Sequence, residues 1–142
     1  MKNILIIDDN DAIRNVIAAA ISDYGFQVNE APGGQVGLEM IRDQAPNLVI
    51  CDINMPGMDG YEVLHAVRQS FSMASIPFIL MTGMVSHEGL RRGMSCGADD
   101  YLFKPFTVTD LIEAVMSRLA RHNDLQRAAD TRALKLHQYA SA

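Results

Sequence analysis

The chain has 142 residues, of which 49% are hydrophobic and 20% charged, and its formal net charge is −5. That length predicts one domain with a real core, and the composition is that of a soluble globular protein. The acidic balance argues against nucleic acid as a direct partner, and no apolar run approaches membrane-spanning length.

The N-terminal stretch MKNILIIDDN has too short an apolar run for a signal peptide, so a cytoplasmic protein is expected. Cys51 and Cys96 form no CxxC pair and read as core thiols, not as a redox or metal site. The charge is uneven. Residues 1–120 hold eight Lys and Arg against fifteen Asp and Glu, a balance of −7, and residues 121–142 hold four against two, a balance of +2.

In chain order, Asn3–Ile7 is an apolar run ending at Asp8-Asp9, as a buried strand would. Asn10 or Asp11 can cap the helix that follows, in which Ile13, Val16, Ile17, Ala20 and Ile21 fall on one face. Gly25 ends that helix. Phe26–Val28 reads as a short strand, Pro32-Gly33-Gly34 as a turn, and Val36, Leu38, Met40 and Ile41 as part of a second helix. Asn47–Ile53 is a third strand that delivers Asp52 near its end, followed by a loop marked by Pro56, Gly57 and Gly60. Asp59 can cap a third helix carrying Tyr61, Val63, Leu64 and Val67. Ile76–Met81 is a fourth strand, with Pro77 at its start because proline lacks an N–H, and it ends at Thr82-Gly83.

Ser86–Gly97 is predicted as a fourth helix because it lies between two strands. Gly89 and Gly93 should make it the softest element, to be checked by amide exchange over residues 88–96. Tyr101–Phe103 is a fifth strand running into Lys104-Pro105. Thr107 and Asp110 resemble a capping box ahead of the stripe Leu111, Ile112, Val115, Met116 and Leu119. Five alternations of strand and helix predict a doubly wound α/β sheet with helices on both faces and all strand ends on one edge.

The residues that converge on that edge are Asp8, Asp9, Asp52, Thr82 and Lys104. Three carboxylates in one crevice repel one another unless a hard dication such as Mg²⁺ lies among them. A Lys and a hydroxyl beside them suit a phosphoryl group. A carboxylate can itself be the nucleophile that accepts it. Singly, each of these residues reads as a helix cap or a solvated charge; together they predict metal-assisted phosphoryl transfer onto an Asp.

With these residues in place, the sequence resembles the receiver domain of two-component response regulators, the chemotaxis regulators included. The resemblance rests on Asp8-Asp9, the D-x-x-M-P-G-M-D-G segment from Asp52 to Gly60, Thr82-Gly83, and the run from Gly97 to Phe106. It covers about residues 1–121, leaving 122–142 as a C-terminal helical extension or linker. It implies a five-stranded, flavodoxin-like parallel sheet of order 2-1-3-4-5. It further implies that Asp52 is the phosphoacceptor, fed by a sensor histidine kinase or a histidine phosphotransfer protein. Asp8, Asp9, Asp52 and the backbone carbonyl of Asn54 would hold Mg²⁺. Lys104, in a cis bond to Pro105, Thr82 and the Gly83 N–H would bind the phosphoryl group, and Tyr101 would be the switch aromatic. Helix four, strand five and helix five would then report to a downstream output protein or domain. Such a module is no enzyme beyond its own phosphorylation and dephosphorylation.

Two features depart from the family pattern. Ala114 stands where regulators that dimerise through helices four and five carry an Arg, and His87 follows strand four near the site. In the extension, Asn123-Asp124 could cap a new helix, or helix five could continue. Leu125, Ala129, Arg132, Leu136 and Tyr139 have seam-like spacing, read equally as a short homodimer seam or as a frayed polar helix. The chain leaves no room for an output module of its own. Three rival readings remain. An aspartyl-nucleophile phosphatase wants D-x-D after strand one, where this chain has Asp8-Asp9-Asn10. A flavin binder needs hydroxyls where Asp8-Asp9 would repel a phosphate. A constitutive, phosphorylation-independent interaction domain would not use the acidic site.

Overall fold

Among the described residues five short strands, β1 (Asn3–Ile7), β2 (Gln27–Ala31), β3 (Leu48–Asp52), β4 (Phe78–Thr82) and β5 (Asp100–Phe103), make up one sheet. The computed structural model describes residues 1–83, 91, 92, 95 and 97–141, with side chains as far as residue 135. Every neighbouring pair of strands is parallel, in the order β2-β1-β3-β4-β5. The helices are α1 (Asp11–Asp23), α2 (Gly34–Gln44), α3 (Gly60–Gln69) and a C-terminal helix (Val108–Ser141). This is the doubly wound, flavodoxin-like sheet expected.

The three inner strands β1, β3 and β4 read as continuous apolar runs because the sheet is covered on both faces there. Alternate residues supply two cores. Leu5, Ile7, Val49, Cys51, Phe78 and Leu80 pack with residues of α2 and α3, and Ile4, Ile6, Leu48, Ile50, Ile79 and Met81 pack with residues of α1 and the C-terminal helix. β2 is longer than the expected Phe26–Val28. Among the described strands it pairs with β1 alone, and its edge position accommodates Asn29 and Glu30, which hide it from an apolar pattern.

Two helices are rolled relative to their expected stripes. In α1 the buried residues are Ile17, Ala18 and Ile21, while Val16 is 67% exposed and Ile13 is also exposed. The inner face takes Arg14, four residues before Ala18. The Arg14 guanidinium donates to the Asp8 carbonyl at 2.7 Å and pairs with Asp11 and Glu30. A polar residue on the inner face is invisible to an apolar count. In the C-terminal helix Ala114 is buried in place of Met116, which is 54% exposed.

The caps agree with the sequence. The Asn10 side chain accepts from the Ile13 N–H, and that of Asp59 accepts from the Glu62 N–H. Thr107 and Asp110 exchange reciprocal bonds of 3.0 and 3.2 Å, a complete capping box. The C-terminal helix runs through Asn123-Asp124 without a break, so helix five continues and no new helix starts there. Residues 124–135 are all exposed.

Arg91, Arg92 and Ser95 are helical. The expectations for His87, Gly89, Gly93 and Cys96 fall outside the described residues. Among the described residues, no helix is long and apolar enough to cross a membrane.

Candidate functional site

Parallel register levels the strand ends. Ile7 lies opposite Cys51, Asp52 opposite Met81, and Thr82 opposite Phe103. The residues at or just past those positions are Asp8, Asp52, Thr82 and Lys104, so side chains far apart in sequence share one crevice at the carboxyl edge. The Lys104 Nζ lies 3.2 Å from the Asp8 Oδ2 and 3.3 Å from the Asp52 Oδ1. Carboxylate oxygens of Asp8, Asp9 and Asp52 lie within 4.8 Å of one another. Asp8, Asp52 and Thr82 are buried and Asp9 is exposed.

The surrounding backbone fixes this arrangement. The Asn10 N–H donates to Asp8 Oδ1 at 2.9 Å, while Arg14 holds the Asp8 carbonyl. Arg14 escaped the sequence reading, although its i,i+3 spacing from Asp11 is the signal that could have found it. The Lys104 N–H donates to the Thr82 carbonyl at 2.8 Å, and the Ile53 N–H donates to the Met81 carbonyl at 3.0 Å. The Lys104-Pro105 bond is cis. At Gly60 the start of α3 crosses the end of β3 so closely that a Cβ would overlap the Asp52 carbonyl oxygen. Glycine is the residue that lets the β3 loop close there. Asn54 and Gly83 are exposed in the loops after Asp52 and Thr82. Tyr101 is half-buried and stacks on Phe103, with ring centroids 6.1 Å apart.

Three carboxylates face one ammonium. Burial pushes the Asp52 carboxyl above the usual carboxylate range, and neighbouring Asp8 adds to this, while Lys104 opposes both. Burial likewise pushes the Cys51 thiol up, reinforced by the charges of Asp52 and Asp8. The donor set is all hard oxygen and carries excess negative charge, which fits a divalent cation such as Mg²⁺.

Beside this crevice the roll of α1 leaves an apolar groove of about 530 Å³. Ile13, Val16 and Ile17 form one wall; Lys104, Pro105 and Phe106 form the other. Lys104 thus lies in both features.

A doubly wound sheet with an acid triad and a lysine at its carboxyl edge defines a class of α/β domains with a hard-oxygen site, and comparison with known proteins narrows the class. Residues 4–116 match the response regulator receiver domain. The transcriptional regulatory protein AfsQ1 of Streptomyces coelicolor is 36% identical over 105 residues, which cover 74% of this chain and 45% of that protein. A CheY-like receiver domain protein from Methanospirillum hungatei superposes with a TM-score of 0.83 at 31% identity, over 87% of this chain and 98% of that one. NtrX of Brucella abortus gives 0.84 at 29% identity, over 92% of this chain but 30% of that one. The chain belongs to the response regulator receiver domain family and is a module of two-component signalling. It spans less than half the length of the curated relative it matches.

Proposed function

We propose that this domain accepts a phosphoryl group on Asp52 from the phosphohistidine of a sensor histidine kinase or a histidine phosphotransfer protein. The observation that carries the reading is the convergence of Asp8, Asp9, Asp52 and Lys104 at one strand edge. An Asp52 oxygen attacks phosphorus, an O–P bond forms, the N–P bond to imidazole breaks, and the imidazole leaves. Lys104, already directed at Asp52, balances charge on the phosphoryl oxygens. Thr82 and the Gly83 N–H are the further donors at the neighbouring strand end. Asp8, Asp9, Asp52 and the Asn54 carbonyl are the groups that would hold Mg²⁺, which when bound neutralises charge on the transferring oxygens. The apolar groove against Lys104 gives the donor protein a docking surface next to the acceptor.

The phosphoryl group brings about −1.5 to −2 charge. It biases a two-state element only through contacts that differ between the states. Here those contacts belong to Thr82 and Lys104, and Tyr101 is the half-buried aromatic that would follow Thr82, reporting through β5 and the C-terminal helix to an output protein or domain. The site works on the cytoplasmic side, where such donors are supplied. The domain, residues 1–121, passes its state to the extension 122–142, which in a homodimer would pair with its copy.

Intact mass after incubation with Mg²⁺ and acetyl phosphate tests the reading. A gain of one phosphoryl group, absent in Asp52→Asn and in EDTA, is expected. No gain in a folded, Mg²⁺-binding protein would favour a constitutive interaction domain. Val16→Asp is expected to slow transfer from a protein donor while leaving uptake from acetyl phosphate unchanged.

A further inference from the structure

Where the C-terminal helix leaves the body, it encloses a cavity of about 320 Å³ with the amino ends of β4 and β5. This is the opposite end of the sheet from Asp52: Pro77 precedes the strand that Thr82 ends, and Asp99 precedes the strand that Lys104 follows. One wall is fully committed. Arg68 donates to the Ala74, Ile76 and Gly97 carbonyls and, at 2.9 Å, to Asp99, which also accepts from the Phe78 N–H.

The helical wall is not committed in this way. Arg118, Arg121, His122 and Leu125 lie on one helix face, at i, i+3, i+4 and i+7. Arg118 reaches Asp100 only at 3.4 Å, and among the described residues Arg121 and His122 make no ion pair or hydrogen bond through their side chains. Among the described lining residues Asp99 is the one carboxylate, and Arg68 already pairs with it. Arg118, paired with Asp100, and Arg121 therefore share one helix face with His122, in a body whose balance is −7 over residues 1–120. Ala74, Pro77 and Leu125 add an apolar floor.

We propose that this cavity binds a small organic oxyanion, its charged group held by Arg118, Arg121 and His122 and its apolar body resting on Pro77 and Leu125. The size selects the class. The volume sits at the lower end of small-molecule sites, roughly 300–1,000 Å³, and does not admit a docking helix about 10–12 Å across. The site uses no group of the Asp52 crevice and needs no metal.

The test titrates inorganic phosphate, adenosine monophosphate and benzoate separately into ¹⁵N-labelled full chain without Mg²⁺, reading backbone amide shifts. A saturable response to at least one probe is expected at residues 74–77, 97–99 and 118–126, sparing 8–9, 52–54 and 82–83. It should weaken about tenfold in Arg121→Ala/His122→Ala, two surface changes that leave the fold intact. Response to phosphate and the nucleotide alone assigns a phosphate ligand; response to benzoate alone assigns a carboxylate. No saturable response up to about 10 mM of any probe, shifts unaltered in the double variant, or shifts centred on Lys104 would each overturn the proposal.

Discussion

The two ends of the sheet carry opposite charge, and they hold it by different means. At the carboxyl edge three Asp and one Lys are pressed together by buried parallel strands, so their separations are fixed by backbone register. At the amino edge Arg118, Arg121 and His122 are displayed along a single helix face against loops. The first arrangement stores repulsion in a rigid, partly dehydrated crevice, and the Asp52 carboxyl is pushed up as a result. The second leaves its charges near water, where screening keeps their repulsion small. Chemistry that depends on sub-ångström placement belongs at the first end, and reversible capture of a soluble anion belongs at the second.

Substitutions can sharpen or break this contrast. The largest effect is expected at Asp52, where Asn removes the proposed acceptor oxygen and should abolish phosphoryl uptake by intact mass. Arg68→Met should come next. It leaves three carbonyls without their donor and should lower stability by about 2–4 kcal/mol in denaturant titration, yet phosphorylation of the folded fraction should persist. A loss of uptake beyond the loss of folded protein would show that the two ends are not separable. Gly60→Ala forces a Cβ into the Asp52 carbonyl and should cost about 1–3 kcal/mol, with slowed uptake because β3 must shift.

A smaller effect concerns pH. Because the folded-state carboxyl of Asp52 lies above its unfolded value, the native state holds more protons in that window. Stability contributed there is present at lower pH and lost as pH rises through the folded-state value. Metal-free protein should therefore melt a few degrees higher as Asp52→Asn at neutral pH, a gain that Mg²⁺ should diminish. Equal melting temperatures would mean that Lys104 compensates the burial completely. Smallest of all, removing residues 127–142 should move the melting temperature by less than about 2 °C, since residues 124–135 are all exposed.

The acidic end was legible in the sequence and the basic end was not. Asp8, Asp52 and Thr82 each close a run that buries itself on both faces, so strand ends and site residues announce each other; Lys104 follows the shorter run Tyr101–Phe103, in which Leu102 is buried. β2 was shortened because an edge strand tolerates Asn29 and Glu30. The roll of α1 is hidden because Arg14 occupies its inner face and, beyond the local Asp11, binds the Asp8 carbonyl and Glu30 outside the helix. Arg68 reads as an ordinary helical surface residue. Its four acceptors lie six to thirty-one positions downstream and no local pattern signals them. The cavity beside it depends on where a helix leaves the body, which is a property of the packed molecule.

The unbroken run of the C-terminal helix through Asn123 has a mechanical meaning. Its 34 residues extend about 50 Å at 1.5 Å per residue, and the first four turns are seated on the sheet. A seated shaft with no joint is a lever. A tilt of only a few degrees at Leu111 and Val115 would sweep the far end through several ångströms, about one helical pitch of 5.4 Å at most. A single bend placed at position 123 would uncouple the far end entirely.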